Sequence, residues 1–227
     1  MLAPKALVVE DAEEFVRLNR RILEQEGFEV HVATSGERGL RVAREQDFEL
    51  VLVDVALPGM DGFDFCRELR TFSDAYVLMV TGRSAEVEKI VGFRVGADDY
   101  VTKPYSPVEL SARIAAMRRR PRQPKAANGA NFGRLELNAD AREVTVDGDP
   151  VAMTRIEFDL LHVLSGAPRR VFSRVQLLET VWGHAQGDAH VVDVHIGNLR
   201  RKLRQALAQE DPIRTVRGVG YKFDPGT

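Results

Sequence analysis

The 227-residue sequence holds one cysteine, Cys66, and one tryptophan, Trp182. A single cysteine excludes an intrachain disulfide, and its apolar surroundings read as core rather than as a reactive thiol. No apolar run nears the roughly 18–20 residues that span a bilayer. The stretch beginning at Leu50–Val53 is interrupted by Asp54. The opening Met1-Leu2-Ala3-Pro4-Lys5 passes directly into a strand-like run, without the layout of a secretory signal. Nor is there a dominant charge of one sign, since 32 Lys and Arg against 34 Asp and Glu leave a net −2. A hydrophobic share of 44% with 29% charged residues is the balance of a soluble globular chain. The expected location is therefore the cytoplasm, with no membrane partner.

The small net charge hides an asymmetry. Residues 1–120 carry 17 Lys and Arg against 21 Asp and Glu, whereas residues 121–227 carry 15 against 13. Within 190–222 the balance is 7 to 3, a local excess that suits a phosphate-binding face. Residues 121–131 (Pro-Arg-Gln-Pro-Lys-Ala-Ala-Asn-Gly-Ala-Asn) lack large apolar side chains and read as a linker between domains 1–120 and 132–227.

Before the linker, the runs Ala6–Val9, Glu29–Ala33, Leu50–Val53, Tyr76–Val80 and Asp99–Val101 alternate with amphipathic stretches. In the first stretch Phe15, Leu18 and Ile22 recur at helical spacing; Thr34 or Ser35 can cap the second; residues 86–95 and 107–117 supply the fourth and fifth. Strict alternation predicts an α/β domain, a (βα)5 flavodoxin-like parallel sheet covered on both faces. After the linker, Phe132–Leu137 and Glu143–Asp147 alternate like antiparallel strands. Thr154 with Glu157 forms a capping box that opens a helix to about Ser165, Ser173 opens a second ending near Trp182-Gly183, and a third runs from about Ala189 to Leu207. Ile213–Val216 and Tyr221–Phe223 close as a hairpin, which predicts an α+β winged helix-turn-helix domain.

In an open parallel sheet, ligands bind beyond the carboxyl ends of the strands. Those ends carry Glu10-Asp11, Asp54, Thr81 and Lys103-Pro104. Singly, each has an ordinary explanation as a turn, cap or surface charge. Together, three converging carboxylates repel one another unless a cation sits among them, and hard oxygen ligands suit Mg²⁺. With an ammonium and a hydroxyl beside it, such a group makes a phosphoryl-transfer site whose carboxylate nucleophile yields an acyl phosphate.

The set Glu10-Asp11, Asp54, Leu57-Pro58-Gly59-Met60-Asp61-Gly62, Thr81, Gly96-Ala97-Asp98-Asp99-Tyr100 and Lys103-Pro104 resembles the receiver domain of two-component response regulators over residues 5–119. The resemblance implies Asp54 as phosphoacceptor; Glu10, Asp11, Asp54 and the Ala56 carbonyl as Mg²⁺ ligands; Thr81 and Tyr100 as a switch pair; Lys103 as the phosphate contact; and a cis Lys103-Pro104 bond. Gly82 departs from the more usual alanine. In the second domain, Phe158-Asp159-Leu160-Leu161, Val192-Asp193-Val194-His195-Ile196, Leu199-Arg200-Arg201-Lys202-Leu203 and Thr215-Val216-Arg217-Gly218-Val219-Gly220-Tyr221 resemble the OmpR/PhoB winged-helix family.

Val192, Ile196, Leu199 and Leu203 form one buried stripe, which turns Val191, Val194, His195, Asn198 and Arg201 to another face. The expected DNA contacts are Val194, His195, Asn198, Arg200 and Arg201 in the major groove, with Thr215 and Arg217 from the wing. Gly197 and Asn198 stand where the family often has arginine, so base readout leans less on Arg–guanine pairs. Matching the family's dimer motif implies Lys89 with Glu109, Asp99 with Arg113 and Asp98 with Arg120 across subunits. The implied partners are a sensor histidine kinase, double-stranded DNA, RNA polymerase and, when phosphorylated, a second copy of the chain.

Ala56 and Arg83, two residues beyond Asp54 and Thr81, supply no base to align a water, so slow self-dephosphorylation is expected rather than dedicated enzyme activity. Two other readings stay open. A phosphatase with an aspartyl nucleophile usually has a second Asp where this chain has Ala56. A receiver governed by a partner instead of phosphate would not need the intact pocket.

Overall fold

The computed structural model describes residues 3–82, 92–93, 95–118, 129–183 and 189–225. Two compact units divide the chain, residues 1–115 and 116–227.

The first unit is built on five parallel strands, β1 (Lys5–Val9), β2 (Glu29–Ala33), β3 (Leu50–Asp54), β4 (Tyr76–Thr81) and β5 (Asp99–Thr102), in the order β2-β1-β3-β4-β5. Every residue of β3 and β4 is buried, which is why both runs are almost wholly apolar. The strand order reverses direction between β1 and β3, and the crevice outside their carboxyl ends is where such sheets take ligands. Helices α1 (Glu13–Gln25), α2 (Gly36–Glu45), α3 (Gly62–Leu69) and α4 (Pro107–Arg118) cross between or follow the strands.

Of the two capping candidates for α2, Ser35 does the work: its side chain accepts from the Arg38 amide. Asp61 caps α3 through the Asp64 amide at 2.8 Å. Here Gly62 permits a close approach, since a Cβ would lie 2.4 Å from the Asp54 carbonyl oxygen. The α1 stripe is turned from the one expected. Ile22 and Leu23 are buried together with Asn19, while Phe15 and Leu18 are only half-buried. Asn19 is drawn inside because its side-chain oxygen accepts from the Tyr105 hydroxyl at 2.7 Å. Of the helix expected over 86–95, only residues 92, 93 and 95 are described, as helical; the linker positions 121–128 lie outside the described residues.

The second unit opens with a four-stranded antiparallel sheet, β6 (Gly129–Phe132), β7 (Leu135–Asn138), β8 (Glu143–Val146) and β9 (Asp149–Pro150). The single strand expected over 132–137 is two strands, because Gly133 takes a left-handed φ of +76° and turns the chain between them. Three helices follow: α5 (Arg155–Ser165), α6 (Arg174–Trp182) and α7 (His190–Ala206). Thr154/Glu157 and Ser173/Gln176 each form a complete capping box, and Gly183 ends α6 at φ +74°. The core gathers Leu160, Leu161 and Leu164 with Leu177, Leu178 and Trp182, and with Val192, Ile196, Leu199 and Leu203. A three-stranded sheet, ordered β10 (Phe172–Ser173), β12 (Gly220–Phe223), β11 (Ile213–Val216), completes the winged helix. Gly218 turns the wing at φ +74°. Gly220 serves β10 instead of the wing tip, since a Cβ there would meet the Phe172 carbonyl oxygen at 2.0 Å.

Candidate functional site

Parallel pairing of β1, β3, β4 and β5 brings their carboxyl ends to one edge. Glu10 follows β1, Asp54 and Thr81 end β3 and β4, and Lys103 follows β5. Lys103 Nζ donates to Asp54 Oδ2 at 2.7 Å and to Glu10 Oε2 at 2.8 Å. The second oxygen of each acid is held by backbone: Asp54 Oδ1 accepts from the Ala56 amide at 3.0 Å, and Glu10 Oε1 from the Ala12 amide at 3.2 Å. Glu10 and Asp54 are buried, while Asp11 is exposed at the rim. One oxygen from each of Glu10, Asp11 and Asp54 lies within 4.8 Å of the other two, a set that can hold a metal ion.

The electrostatics follow from burying like charges. Burial pushes the Glu10 carboxyl above its ordinary range; the Lys103 hydrogen bond pulls it back, and Asp54 pushes it up again. For Lys103, burial acts to lower the ammonium's affinity for its proton, but Asp54 and Glu10 outweigh it and hold the group above the usual lysine value. One ammonium does not balance three carboxylates. The donor set is short of positive charge and consists of hard oxygens, which fits a small divalent cation such as Mg²⁺.

Thr81 and Tyr100 are both buried. The Thr81 hydroxyl donates to the Gly82 carbonyl at 3.3 Å, and Tyr100 packs edge-on against Phe93 with ring centroids 5.0 Å apart. Gly92 makes the Tyr100 position available, since a Cβ there would come within 1.6 Å of the tyrosine oxygen. The Lys103-Pro104 bond is cis. Arg83 lies outside the described residues.

Several expected roles need correction. Asp98, assigned to an inter-subunit pair, has no exposed surface. It accepts from Arg70 Nη2 at 2.6 Å and from the Val77 amide at 2.7 Å. Asp99 and Arg113, expected to pair between subunits, also meet within the chain: Arg113 Nη1 donates to both Asp99 oxygens at 2.8 and 2.9 Å, and Nη2 to Glu109 at 3.1 Å. Lys89 and Arg120 lie outside the described residues.

On α7, His195 is 1% exposed and packs against the Trp182 ring at 5.3 Å, so it belongs to the core and not to the outward face; Val191 is buried with it. Two positions flanking a stripe suffice to widen it, because α7 packs against both α5 and α6 rather than against one flat surface. Arg200 is also turned inward. Its guanidinium donates to the Ile213 carbonyl and pairs with Asp211 at 3.2 Å, bracing the base of the hairpin. Arg201, Thr215 and Arg217 are exposed, with Val194 and Asn198 half-buried beside them.

The sequence reading missed a junction at the start of α7. Asp193 accepts from Arg174 Nε and from the Tyr221 hydroxyl, each at 2.6 Å, tying α7 to α6 and β12. No sequence spacing signals this contact, since its three members are 19 and 28 residues apart.

A cluster of three carboxylates and an ammonium at the carboxyl edge of a five-stranded α/β sheet, carried in one chain with a winged helix, defines a signal-receiving DNA-binding regulator. Comparison with known proteins agrees. The family described as response regulator receiver domain matches residues 6–115, and that of the C-terminal domain of transcriptional regulatory proteins matches 148–223. The chain is 43% identical to the transcriptional regulatory protein YclJ of Bacillus subtilis, over 97% of this chain and 99% of that one. It is 40% identical to the DNA-binding response regulator MtrA of Mycolicibacterium smegmatis, over 97% of each. The crystal structure of DrrB, a Thermotoga maritima OmpR/PhoB homolog, aligns with a TM-score of 0.52 at 30% identity, covering 98% of this chain and 100% of DrrB. The chain belongs to the OmpR/PhoB family of two-component response regulators, with a receiver domain and a DNA-binding domain that serve transcriptional regulation.

Proposed function

We propose that Asp54 accepts a phosphoryl group from a partner sensor histidine kinase in a Mg²⁺-dependent reaction, and that this promotes dimerisation and sequence-specific binding to double-stranded DNA. The observation that carries the reading is the Lys103 ammonium 2.7 Å from Asp54 Oδ2 inside a cluster of three carboxylates.

Glu10, Asp11, Asp54 and the Ala56 carbonyl would hold Mg²⁺, which when bound supplies charge neutralisation to the transferring phosphoryl oxygens. Asp54 is the nucleophile. Its Oδ2, released by Lys103 as the phosphoryl group arrives, forms the new P–O bond as the P–N bond to the kinase histidine breaks, and the imidazole keeps the electron pair. The Ala56 amide holds the other Asp54 oxygen, so the attacking one is aimed without rearrangement. Lys103 is already within reach and shifts its donors from carboxylate to phosphoryl oxygen. Thr81 and Tyr100 then carry the change to the far side of β4 and β5 as the switch pair.

The dimer would form through α4 and β5, with Asp99 and Arg113 exchanging their pair between subunits beside Glu109. The DNA face comprises Val194, Asn198, Arg201, Thr215 and Arg217, and RNA polymerase is a further partner. The protein is not a dedicated enzyme, and its own phosphate loss is slow. No helix among the described residues is long and apolar enough to cross a membrane; work in the cytoplasm is part of this proposal.

Mass spectrometry after treatment with acetyl phosphate and Mg²⁺ tests the reading. One phosphoadduct is expected on the wild-type chain and none on Asp54→Asn, which keeps the fold but has no carboxylate nucleophile. A full-yield adduct on Asp54→Asn overturns the assignment.

A further inference from the structure

The Lys103 ammonium has three N–H donors. Two are taken by Asp54 and Glu10. Among the described residues, what stands beside the third is an aromatic face: the ring of Phe15, in the first turn of α1, lies under Nζ with its centroid 3.8 Å away. We propose that Phe15 is a positioning residue for phosphoryl transfer, its ring face replacing water on the side of Lys103 that the carboxylates leave open and so keeping the ammonium aimed at Asp54. The inference rests on the phosphoacceptor reading of Asp54 and deepens it.

Three observations bear on it. The distance is well inside the roughly 6 Å at which an aromatic quadrupole attracts a cation, and the attraction grows when both partners leave water. Lys103 meets that condition, with only 16% of its side chain exposed.

The ring is also held in place. Phe15 packs against Tyr105 with centroids 6.1 Å apart, and the Tyr105 hydroxyl donates to Asn19, one turn further along α1. Lys103 and Tyr105 thus grip the same helix from positions two apart in the chain, one over Phe15 and the other at Asn19.

Finally, Phe15 explains the turned stripe of α1. It is half-buried because it faces the pocket and not the sheet, while Asn19 goes inside to hold Tyr105.

The chemical consequence concerns the donor that must change partners. During transfer Lys103 leaves a carboxylate for a phosphoryl oxygen. A flexible four-carbon stem would let the ammonium swing to solvent at that moment. A π face attracts the charge without fixing its direction, so the ammonium stays at the pocket mouth while its hydrogen bonds are exchanged.

The test replaces Phe15 with fluorinated phenylalanines of increasing fluorine content, which drain the ring face of negative potential while nearly keeping its shape. A small phosphodonor, acetyl phosphate with Mg²⁺, avoids any effect of α1 on kinase docking. The labelling rate should fall stepwise along the series, and Phe15→Leu should lose about fivefold, or roughly 1 kcal/mol. Phe15→Tyr, which keeps the ring, should restore most of the rate.

An independent readout needs neither metal nor phosphate: in the metal-free protein the Lys103 ε-methylene protons should show an upfield ring-current shift that Phe15→Leu abolishes. A rate that stays flat across the fluorinated series, or ε-protons at ordinary lysine shifts, overturns this inference alone. Failure of the wild-type chain to label at all overturns it together with the function on which it rests.

Discussion

At the residue scale, the receiver site is a problem in buried charge, and the structure resolves it with few atoms. Two buried carboxylates share one ammonium, each also held by a single backbone amide. Tyr100 shows how narrow the surrounding tolerances are. Its inward position exists because residue 92 has no side chain. Gly92→Ala is therefore expected to push Tyr100 out of the core, costing about 1–3 kcal/mol of stability through overpacking. It should also uncouple phosphorylation from DNA affinity while leaving Asp54 labelling in place. Tyrosine modification by tetranitromethane reports the first effect and DNA titration of the labelled protein the second. A Tyr100 that stays protected in Gly92→Ala would show that the ring has another place to go.

At the element scale, α7 carries two jobs on one surface, and its burial pattern separates them. His195 looked outward on a helical wheel but lies against Trp182. His195→Ala should accordingly lower the thermal stability of the winged helix, by about 1–3 kcal/mol, while the base preference of the folded protein stays the same. Arg201 and Arg217, both exposed, are expected to behave in the opposite way. Each alanine variant should melt like the wild type, bind DNA more weakly, and reduce the salt slope by about one unit. Asn198→Ala should change preference at one base pair, by roughly 1–3 kcal/mol if its amide makes a bidentate contact. Binding titrations over a salt range, together with selection from a random pool, distinguish these classes. If His195→Ala leaves the melting temperature alone and changes the preferred site, the helix has been placed the wrong way round.

At the scale of the whole molecule, the proposed dimer raises the question of what would hold a second copy. The ionic residues expected to cross between subunits are partly engaged at home: Arg113 with Asp99 and Glu109, Asp98 with Arg70. Dimerisation through α4 and β5 then means exchanging an internal pair for the same pair in trans. Reversal of Arg113 alone also removes its contacts to Asp99 and Glu109 within the chain, so loss of the dimer by itself does not show a cross-subunit pair, whereas its recovery on mixing does. Mixing is the cleaner experiment. Asp99→Arg and Arg113→Glu chains each carry like charges and should not pair with themselves. Combined and phosphorylated, they should form heterodimers, since both cross contacts become attractive. Sedimentation velocity of the mixture measures this; two monomeric species after mixing would mean that the pair does not cross the interface.

What local sequence determined was the part governed by local physics. Strand runs, helix caps and the switch from alternating elements to helices and hairpin follow from spacing and capping chemistry. Glu10, Asp54, Thr81 and Lys103 could be gathered from sequence because parallel pairing sends every strand end to one edge. Tertiary structure decided whatever depends on the neighbour across a gap. Phe15 meets Lys103 from 88 positions away, Asp193 joins Arg174 to Tyr221, and His195 is buried because a second helix covers it. Periodicity reports how often a helix presents a face, and it is silent on how many neighbours pack against that face. The same holds for Asp98 and Arg113: their charges were legible, but only the folded chain brings Arg70 to Asp98 and Asp99 to Arg113 within one molecule.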